Sequence, residues 1–557
     1  MSHSRWNLLS AIPNEQSTNV RRFSRLVAQI LYNRGLTEPS ELETFLSPDE
    51  SLSGDPSLLS GMDQAVARIY RALLSGENIA VYGDFDADGI TATALLVKGL
   101  SLLDCKATPY IPHRMTEGYG LKSAALDKLQ NDGINLVITV DCGITALPEV
   151  TRAQKRGLDV VVTDHHIPSE EIPPAVAVID PKLPGSNYPF MELAGVGVAY
   201  KLLQALFTSL GKEQQLGELM DLVAVGTVAD MVPLLSENRY LVKQGLEQLN
   251  AFPRLGIREM MSQSGLNTGQ LTSDSISWKI APLLNAAGRL EHAMGSYKLL
   301  MTESADEAKS LAEWLGRKNA ERQKLTVKML TKAREQVLAQ GDAPVLIAGD
   351  IDYSAGIMGL VAGRLMEEFY RPVIVVKTGE RMTGGSCRSI PEFDITRALE
   401  KCSHLLTNFG GHARAAGLGL RTVNLPRFSE EILALATAEL EGVDLRPKID
   451  IDADITLGEL AGDTYNSIQQ MAPFGQGNPA PVFLSRGVEV IECRTMGNGE
   501  DHLRMRLRQD GLMWDAVAFN LGKYINEMSS NIDIVYSLEI DRWQGKEKLR
   551  LNLVDFE

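Results

Sequence analysis

Carboxylates and histidines punctuate the first half of this 557-residue chain where short apolar runs end. Asp84, Asp86 and Asp88 follow the run at 79–82, Asp141 follows 136–140, and Asp164-His165-His166 follows 160–163. Asp230 follows an apolar helical stretch. Hard oxygen ligands with one or two imidazoles and no thiolate suit Mg2+ or Mn2+ better than structural zinc. Two such ions hydrolyse phosphoesters, because a carboxylate shared between them would hold them ~4 Å apart and lower the pKa of the water they bridge. Singly the residues are weak evidence: Asp88 could cap the following helix, and Asp141 could be a turn residue before Gly143. Placed at matching strand ends of one parallel sheet, they converge on a single crevice.

The elements needed for that convergence are legible. From residue 79 apolar runs alternate with helical stretches: 79–82, helix 91–103, 136–140, helix 145–156, 160–163 and 175–179. That alternation predicts a doubly wound α/β lobe. Apolar helices at 199–210 and 219–228 follow, the second delivering Asp230. The polar stretch 304–340 carries Arg317, Lys318, Arg322, Lys324, Lys328, Lys332 and Arg334 and suits a long helix joining two lobes. Its cations read equally as a solvated face or as one turned to nucleic acid. A second α/β unit runs from 345–348 through a helix at 356–369 and a strand at 373–376 to 410–417. Beyond about residue 448 the period becomes 2, with Leu503, Met505 and Leu507 alternating with Arg504, Arg506 and Arg508. The expected fold is thus α/β: two α/β lobes joined by a long helix, plus a C-terminal antiparallel β-barrel. The divisions are 1–75 (helical, with Phe23, Leu26, Val27, Ile30 and Leu31 on one face), 76–302, 303–340, 341–447 and 448–557.

Composition narrows the class. No apolar run approaches the length of a membrane span, and the first residues lack the basic and apolar regions of a secretion signal. Five scattered cysteines without a CxxC pair suit a reducing cytoplasm, and Cys142 reads as a buried structural thiol. A net charge of −16 argues on average against a polyanionic partner, so a local basic track has to carry any nucleic-acid contact. Two glycine-rich segments, expected as loops, suit an anion. One is 384–389 with Ser386 and Arg388; the other is 410–417 with Gly411 and His412. Plain chain reversal is the alternative for both. Arg114 and Arg289 could add positive charge around the cleft. No GxxxxGK[ST] and no GxGxxG between strand and helix is present, which disfavours nucleoside-triphosphate coupling and dinucleotide cofactors.

In this order the motifs resemble the DHH phosphoesterase superfamily and, within it, the RecJ family of bacterial single-strand-specific 5′ to 3′ DNA exonucleases. Tyr82-Gly83-Asp84-Phe85-Asp86-Ala87-Asp88-Gly89, Val140-Asp141-Cys142-Gly143, Thr163-Asp164-His165-His166 and Val228-Ala229-Asp230-Met231-Val232-Pro233-Leu234 look like the four catalytic motifs. Gly410-Gly411-His412 is similar to the associated substrate-binding (DHHA1) domain. Thr116-Glu117-Gly118-Tyr119-Gly120, the segment 285–290, Phe474-Gly475-Gln476-Gly477-Asn478-Pro479 and an OB-like terminal sheet extend the likeness over nearly the whole chain. The resemblance implies two divalent ions, Mn2+ or Mg2+, held by Asp86, Asp88, Asp141, His165 and Asp230, with Asp84 supporting or also ligating. His166 would hold the scissile phosphate. Arg114, Arg289, Ser386, Arg388, Gly411 and His412 would line the substrate path, Ser386 and Arg388 at the terminal 5′-phosphate. It further implies single-stranded DNA passing between the lobes, 5′-mononucleotide products and a role in DNA repair and recombination. The enzyme would be a cytoplasmic monomer, without a membrane, working beside a helicase and a single-strand-binding protein. Two rivals stand: a small-substrate DHH phosphodiesterase for cyclic dinucleotides or short oligonucleotides, which would need no barrel, and a non-catalytic RecJ-like scaffold, which would have lost metal ligands.

Overall fold

The apolar runs Ile79–Tyr82, Leu136–Val140 and Asp159–Thr163 are buried along almost their whole length, as strands covered by helices on both faces must be. In this computed structural model, which describes residues 3–13, 23–497, 499–543 and 546–557, they are neighbours in an all-parallel five-stranded sheet. Thr108–Tyr110 and Ala177–Ile179 form its edges. The first edge strand was not expected; at three residues with a central proline it has the signature only of an edge. Strand order reverses between Ile79–Tyr82 and Leu136–Val140, and such a switch point opens a crevice at the strand ends. Asp84 to Asp88 and Asp141 flank it.

Helix Ala87–Ser101 starts four residues earlier than its apolar pattern indicates, because the Asp86 side chain caps it by accepting from the Asp88 and Gly89 amides. Helices Gly195–Thr208 and Met220–Ala229 pack against it, and Asp230 follows the latter directly. The joining helix runs Ala305–Leu338. Lys318, Lys332 and Arg334 on it pair with Glu291 and Glu321, Asp350, and Glu368, so these cations belong to a neutralised surface.

The second lobe corrects one expectation. Segments 384–389 and 410–417 are strands rather than loops: Met382–Arg388, and the hairpin Leu406–His412 with Ala415–Arg421. With Val373–Thr378 and Leu346–Asp350 they make a five-stranded sheet in which only the last pair is parallel. Their glycines allow close packing and leave bare backbone. A Cβ on Gly385 would lie 2.9 Å from Val376 Cγ1, whereas Gly384 and Gly410 have nothing within 4 Å.

Residues 53–445 form one unit; residues 1–52 with 446–557 form another. The expected helical segment 1–75 is therefore not one element. Arg5–Leu8 is a strand paired with Lys448–Ile451, and helices Arg25–Asn33 and Pro39–Leu46 share a core with the C-terminal strands. Helix Met62–Ser75 joins the core of the first lobe. The apolar spacing of Leu26, Val27, Ile30 and Leu31 located a buried face but could not name its partner, which lies more than 400 residues away. In the C-terminal unit Phe483–Met496, His502–Gln509, Leu512–Ala518, Lys546–Phe556 and Asn531–Trp543 pair in that order, and the last returns to the first, closing a five-stranded barrel. Leu503, Met505 and Leu507 point inward, as their period requires. Among the described residues no helix is long and apolar enough to cross a membrane.

Candidate metal centre

Strand ends in register bring the acidic motifs together. Three groups of ligand atoms, each within 4.8 Å of one another, lie at the crevice: Asp84, Asp86 and Asp141; Asp141, His165 and His166; and Asp88, His165 and Asp230. Asp141 and His165 each belong to two groups. His165 Nε2 stands 3.1 Å from Asp141, 3.6 Å from Asp230 and 4.0 Å from Asp88. All six expected ligands therefore converge.

The surrounding backbone holds them in place. Asp141 adopts a left-handed φ of 58°, an uncommon conformation for a side-chain-bearing residue. A Cβ on Gly195 would fall 2.6 Å from the Cβ of Asp141, so only glycine lets helix Gly195–Thr208 begin there. That helix start donates two amides to Asp88, Gly195 N at 2.7 Å and Val196 N at 2.8 Å. Asp88 is thus not the cap of its own helix; Asp86 is, and Asp88 sits at the N-terminus of another. Asn285 Oδ1 accepts from Ala87 N, and Gly288 lies against the Phe85 carbonyl, so the 285–290 segment backs the first acidic loop. Asp164 stays out of the ligand groups and fixes the histidines: its Oδ1 lies 2.7 Å from His166 Nδ1 and its Oδ2 accepts from Ile144 N.

The electrostatics call for cations. Burial, reinforced by neighbouring carboxylates, raises the carboxyls of Asp84, Asp141 and Asp230 well above the usual range, and Asp88 is pushed up to about 7. Burial, with the adjacent His166, pulls His165 down to about 3, leaving a neutral imidazole fit to ligate. Burial also works against protonated His166, but the hydrogen bond and charge of Asp164 outweigh it and raise its pKa. Asp84 Oδ1 is buried without a hydrogen-bond partner, and an orphan oxygen among crowded carboxylates fits a divalent cation. Cys142 is buried with Sγ 3.8 Å from the Tyr82 carbonyl, and burial raises its thiol pKa, so it is structural.

Beside the carboxylates lies an arginine cluster. Arg114 stacks 4.4 Å over the Phe85 ring. Arg289 Nη1 donates to Gly356 O, and its buried Nε has no partner. Burial, then Arg114 and Arg322, lowers Arg289 to about 9. Arg388 Nη1 donates to Ser386 Oγ at 3.4 Å, and a Cβ on Gly359, in the first turn of helix Met358–Phe369, would lie 3.0 Å from Arg388 Nη2. Ser386, Arg388 and a helix N-terminus therefore share one anion-suited spot. His412 is exposed on its hairpin beside Gly411, and burial, then His166 and Lys182 of the first lobe, lower its pKa.

Sequence reasoning missed several members of the site. Tyr119 has its hydroxyl 3.3 Å from His166 Nδ1. Asp180 ends the fifth strand, fully buried, with burial pushing its carboxyl up to about 8. The strand-end rule that found Asp141 applied equally to Asp180. The Gly195 and Val196 amides left no side-chain signal to find.

Three family models match the chain. The family model of the DHH family, N-terminal domain, matches residues 78–227, that of the DHHA1 domain 342–438, and that of the RecJ OB domain 451–555. The single-stranded-DNA-specific exonuclease RecJ of Bacillus subtilis (strain 168) is 37% identical over 535 residues, 95% of this chain and 67% of that protein. The crystal structure of RecJ from Thermus thermophilus in complex with Mn2+ aligns with a TM-score of 0.86 at 32% identity, covering 99% of this chain and 79% of that one. The structure of the same protein with Mg2+ aligns at 0.80 and 31% identity, covering 99% and 78%.

Proposed function

Given that the chain belongs to the RecJ family of DHH-type phosphoesterases, we propose that it degrades single-stranded DNA from the 5′ end and releases 5′-mononucleotides. It is a metal-dependent nuclease of the single-stranded-DNA-specific exonuclease class, using Mn2+ or Mg2+. The observation that carries the reading is the sharing of Asp141 between ligand groups, because a carboxylate can serve two adjacent ions. Asp84, Asp86, Asp88, Asp141, His165 and Asp230 are the ligands. When bound, the ions supply Lewis acidity and a water of lowered pKa, and offset the charge developing on phosphorus and the leaving oxygen.

The chain's own residues do the rest. The two amides on Asp88 and the fixed backbone of Asp141 hold the carboxylates in place before substrate arrives. His166, oriented by Asp164, which favours its protonated form, donates to the scissile phosphate, and Arg114 and Arg289 carry the backbone beside it. Ser386, Arg388 and the first turn of helix Met358–Phe369 hold the terminal 5′-phosphate, with Gly411 and His412 closing the path from the second lobe. A terminal phosphate held at a fixed distance from the metal site makes the reaction exonucleolytic and sets its polarity. The closed barrel, superfluous for a cyclic dinucleotide, and the complete ligand set, which a scaffold would not keep, support this over both rivals. A helicase that supplies unwound strand and a single-strand-binding protein are fitting partners, and five unpaired cysteines suit a cytoplasmic monomer.

The test is a digestion time course on single strands labelled at either end, with Mn2+ or Mg2+. Mononucleotides released first from the 5′ label, none from blunt duplex and none with Asp141→Ala are expected. First release from the 3′ label would overturn the polarity.

A further inference from the structure

Between strand Thr108–Tyr110 and helix Ser123–Asn131 the chain runs without helix or strand, and two of its side chains reach the first acidic loop. Arg114 stacks 4.4 Å over the ring of Phe85, which lies between Asp84 and Asp86, and Tyr119 meets the same ring edge-on at 6.4 Å. Tyr119 has a second hold, its hydroxyl beside His166. Arg114 has none: among the described residues it makes no hydrogen bond and has no carboxylate within ion-pair distance. A ring face and its own backbone are what place this guanidinium.

One carboxylate ties that backbone. Glu117 Oε2 accepts from His113 N at 2.7 Å, and its Oε1 accepts from the Tyr110 hydroxyl at 2.5 Å. Tyr110 in turn stacks on Tyr82, the rings 5.0 Å apart, and Tyr82 ends the strand that leads into Asp84. Burial, then the bond to Glu117, raises the Tyr110 phenol, so it stays a donor. Among the described residues Glu117 has no lysine or arginine within ion-pair distance, so its charge is spent on these two bonds, each about twice as strong as a neutral one. The amides of Thr116, Glu117 and Gly118 already turn the loop by donating to the His113 carbonyl. The Glu117 side chain adds what the turn lacks, a fixed link from the residue before Arg114 to the tyrosine stack two residues before Asp84.

We propose that Glu117 is a positioning residue of the nuclease. Outside the ligand groups and the substrate path itself, it holds Arg114 over Phe85, so that the guanidinium meets the phosphate backbone without first being ordered. This rests on the nuclease reading, which makes Arg114 a substrate contact, and names the group that keeps it in place.

The test is a double-mutant cycle read by the KM for a 5′-phosphorylated single strand with Mn2+. Arg114→Ala is expected to raise KM roughly 10- to 100-fold, the worth of a charged hydrogen bond. Glu117→Ala should raise it about 5- to 10-fold alone but less than about 2-fold when added to Arg114→Ala, because residues acting through one another do not add. Glu117→Gln, which keeps one acceptor oxygen, should fall between Glu117→Ala and the parent. Thr116→Ala, whose exposed side chain makes no hydrogen bond among the described residues, should leave KM as it is. Mn2+ affinity in titration calorimetry should be the same in Glu117→Ala and the parent. An unchanged KM in Glu117→Ala, full additivity with Arg114→Ala, or an equal loss of Mn2+ affinity would overturn the proposal, the last two by showing a merely structural tie. If the parent turns over no single strand, the nuclease reading fails. Hydrogen exchange at the amides of residues 116–118 still judges the tie in that case: Glu117→Ala should speed it, and unchanged exchange would overturn the role given to Glu117.

Discussion

Removing the metal should make this protein less stable as the pH rises through neutrality, opposite to the usual behaviour of a carboxylate-rich chain. Asp88 carries the quantifiable part. Its carboxyl rises from 3.8 to about 7 on folding, first through burial and then through Asp86, against which the Val196 and Gly195 amides pull. The native state thus keeps a proton that the unfolded chain gives up, so this contribution is complete below pH 3.8 and is lost as the pH passes about 7. Three units correspond to about 4 kcal/mol. With ~2.1 cal/mol/K of unfolding entropy per residue, Asp88 taken alone lowers the melting temperature of the unit Ser53–Leu445 by about 5 °C over that window. Asp84, Asp141 and Asp230 act in the same direction. Asp164 acts oppositely: burial opposes its ionisation but the His166 hydrogen bond prevails, so its loss falls below pH 3.8, outside the window. His165 also acts oppositely, and inside the window: its imidazole falls from 6.5 to about 3 on folding, which offsets Asp88 and leaves the net fall in stability to Asp84, Asp141 and Asp230. Bound Mn2+ replaces the protons and reverses the trend, so the metal-induced rise in melting temperature should itself grow with pH. Scanning calorimetry at pH 4 to 8, with chelator and with Mn2+, measures both. A metal-free melting temperature that is flat or climbs between pH 4 and 7, or a metal increment independent of pH, would refute the reasoning.

Three substitutions probe the frame around that centre. Arg388→Ala should raise KM for a 5′-phosphorylated strand by roughly 10- to 100-fold, the worth of a charged hydrogen bond, and change that for a 5′-hydroxyl strand little; equal effects on both would remove Arg388 from the terminal pocket. Gly195→Ala sets a methyl 2.6 Å from the Asp141 Cβ and should cost about 1–3 kcal/mol of stability along with weaker Mn2+ binding by titration calorimetry, a result contradicted by unchanged affinity. Lys201→Met strands Glu237, its fully buried partner at 2.9 Å, and should cost about 3–5 kcal/mol in denaturant unfolding. Adding Glu237→Leu together with Tyr188→Phe, which removes the hydroxyl that donates to Glu237, should recover much of that loss, and no recovery would mean that Lys201 matters through its bond to the Gly54 carbonyl instead.

What was legible in the chain follows from what has a local cause. Asp141 and His165 were readable because a largely apolar run announces a buried parallel strand and the first residues after it border the crevice. The joining helix Ala305–Leu338 was readable from composition and length. Strand Arg5–Leu8 was not, since its partner Lys448–Ile451 is contributed by the far end of the chain. Nor were the glycine strands at 384 and 410, whose glycines look like turn residues until Val376 is seen to need the space beside Gly385, and Ala415 and Ala416 that beside Gly411. The fates of Arg504, Arg506 and Arg508 could not be separated either, because a period of 2 puts all three on one face and only cross-strand register says which meets a glutamate and which another arginine.

That register also resolves how a chain of net charge −16 can handle a polyanion. Much of its surface charge is cancelled locally, as on the joining helix and most of the barrel, and two kinds of uncancelled charge remain at the catalytic lobe. The carboxylates of the metal centre are crowded enough to hold protons that they would release to cations. The arginines beside them are held below their ordinary pKa, Arg289 by burial and by Arg114, and Arg388 by burial and by the same neighbour. Neither set fully satisfies the other: Arg114 acts mainly on Asp84 and Asp86, while burial and neighbouring carboxylates dominate at Asp141 and Asp230. Divalent ions relieve the acids and a phosphate relieves the arginines, so each ligand lowers the cost of binding the other. Substrate affinity should therefore rise when Mg2+ is added and metal affinity rise equally when a non-hydrolysable strand is present, as reciprocal linkage requires; metal affinity indifferent to the strand would show that the two charge deficits are separate.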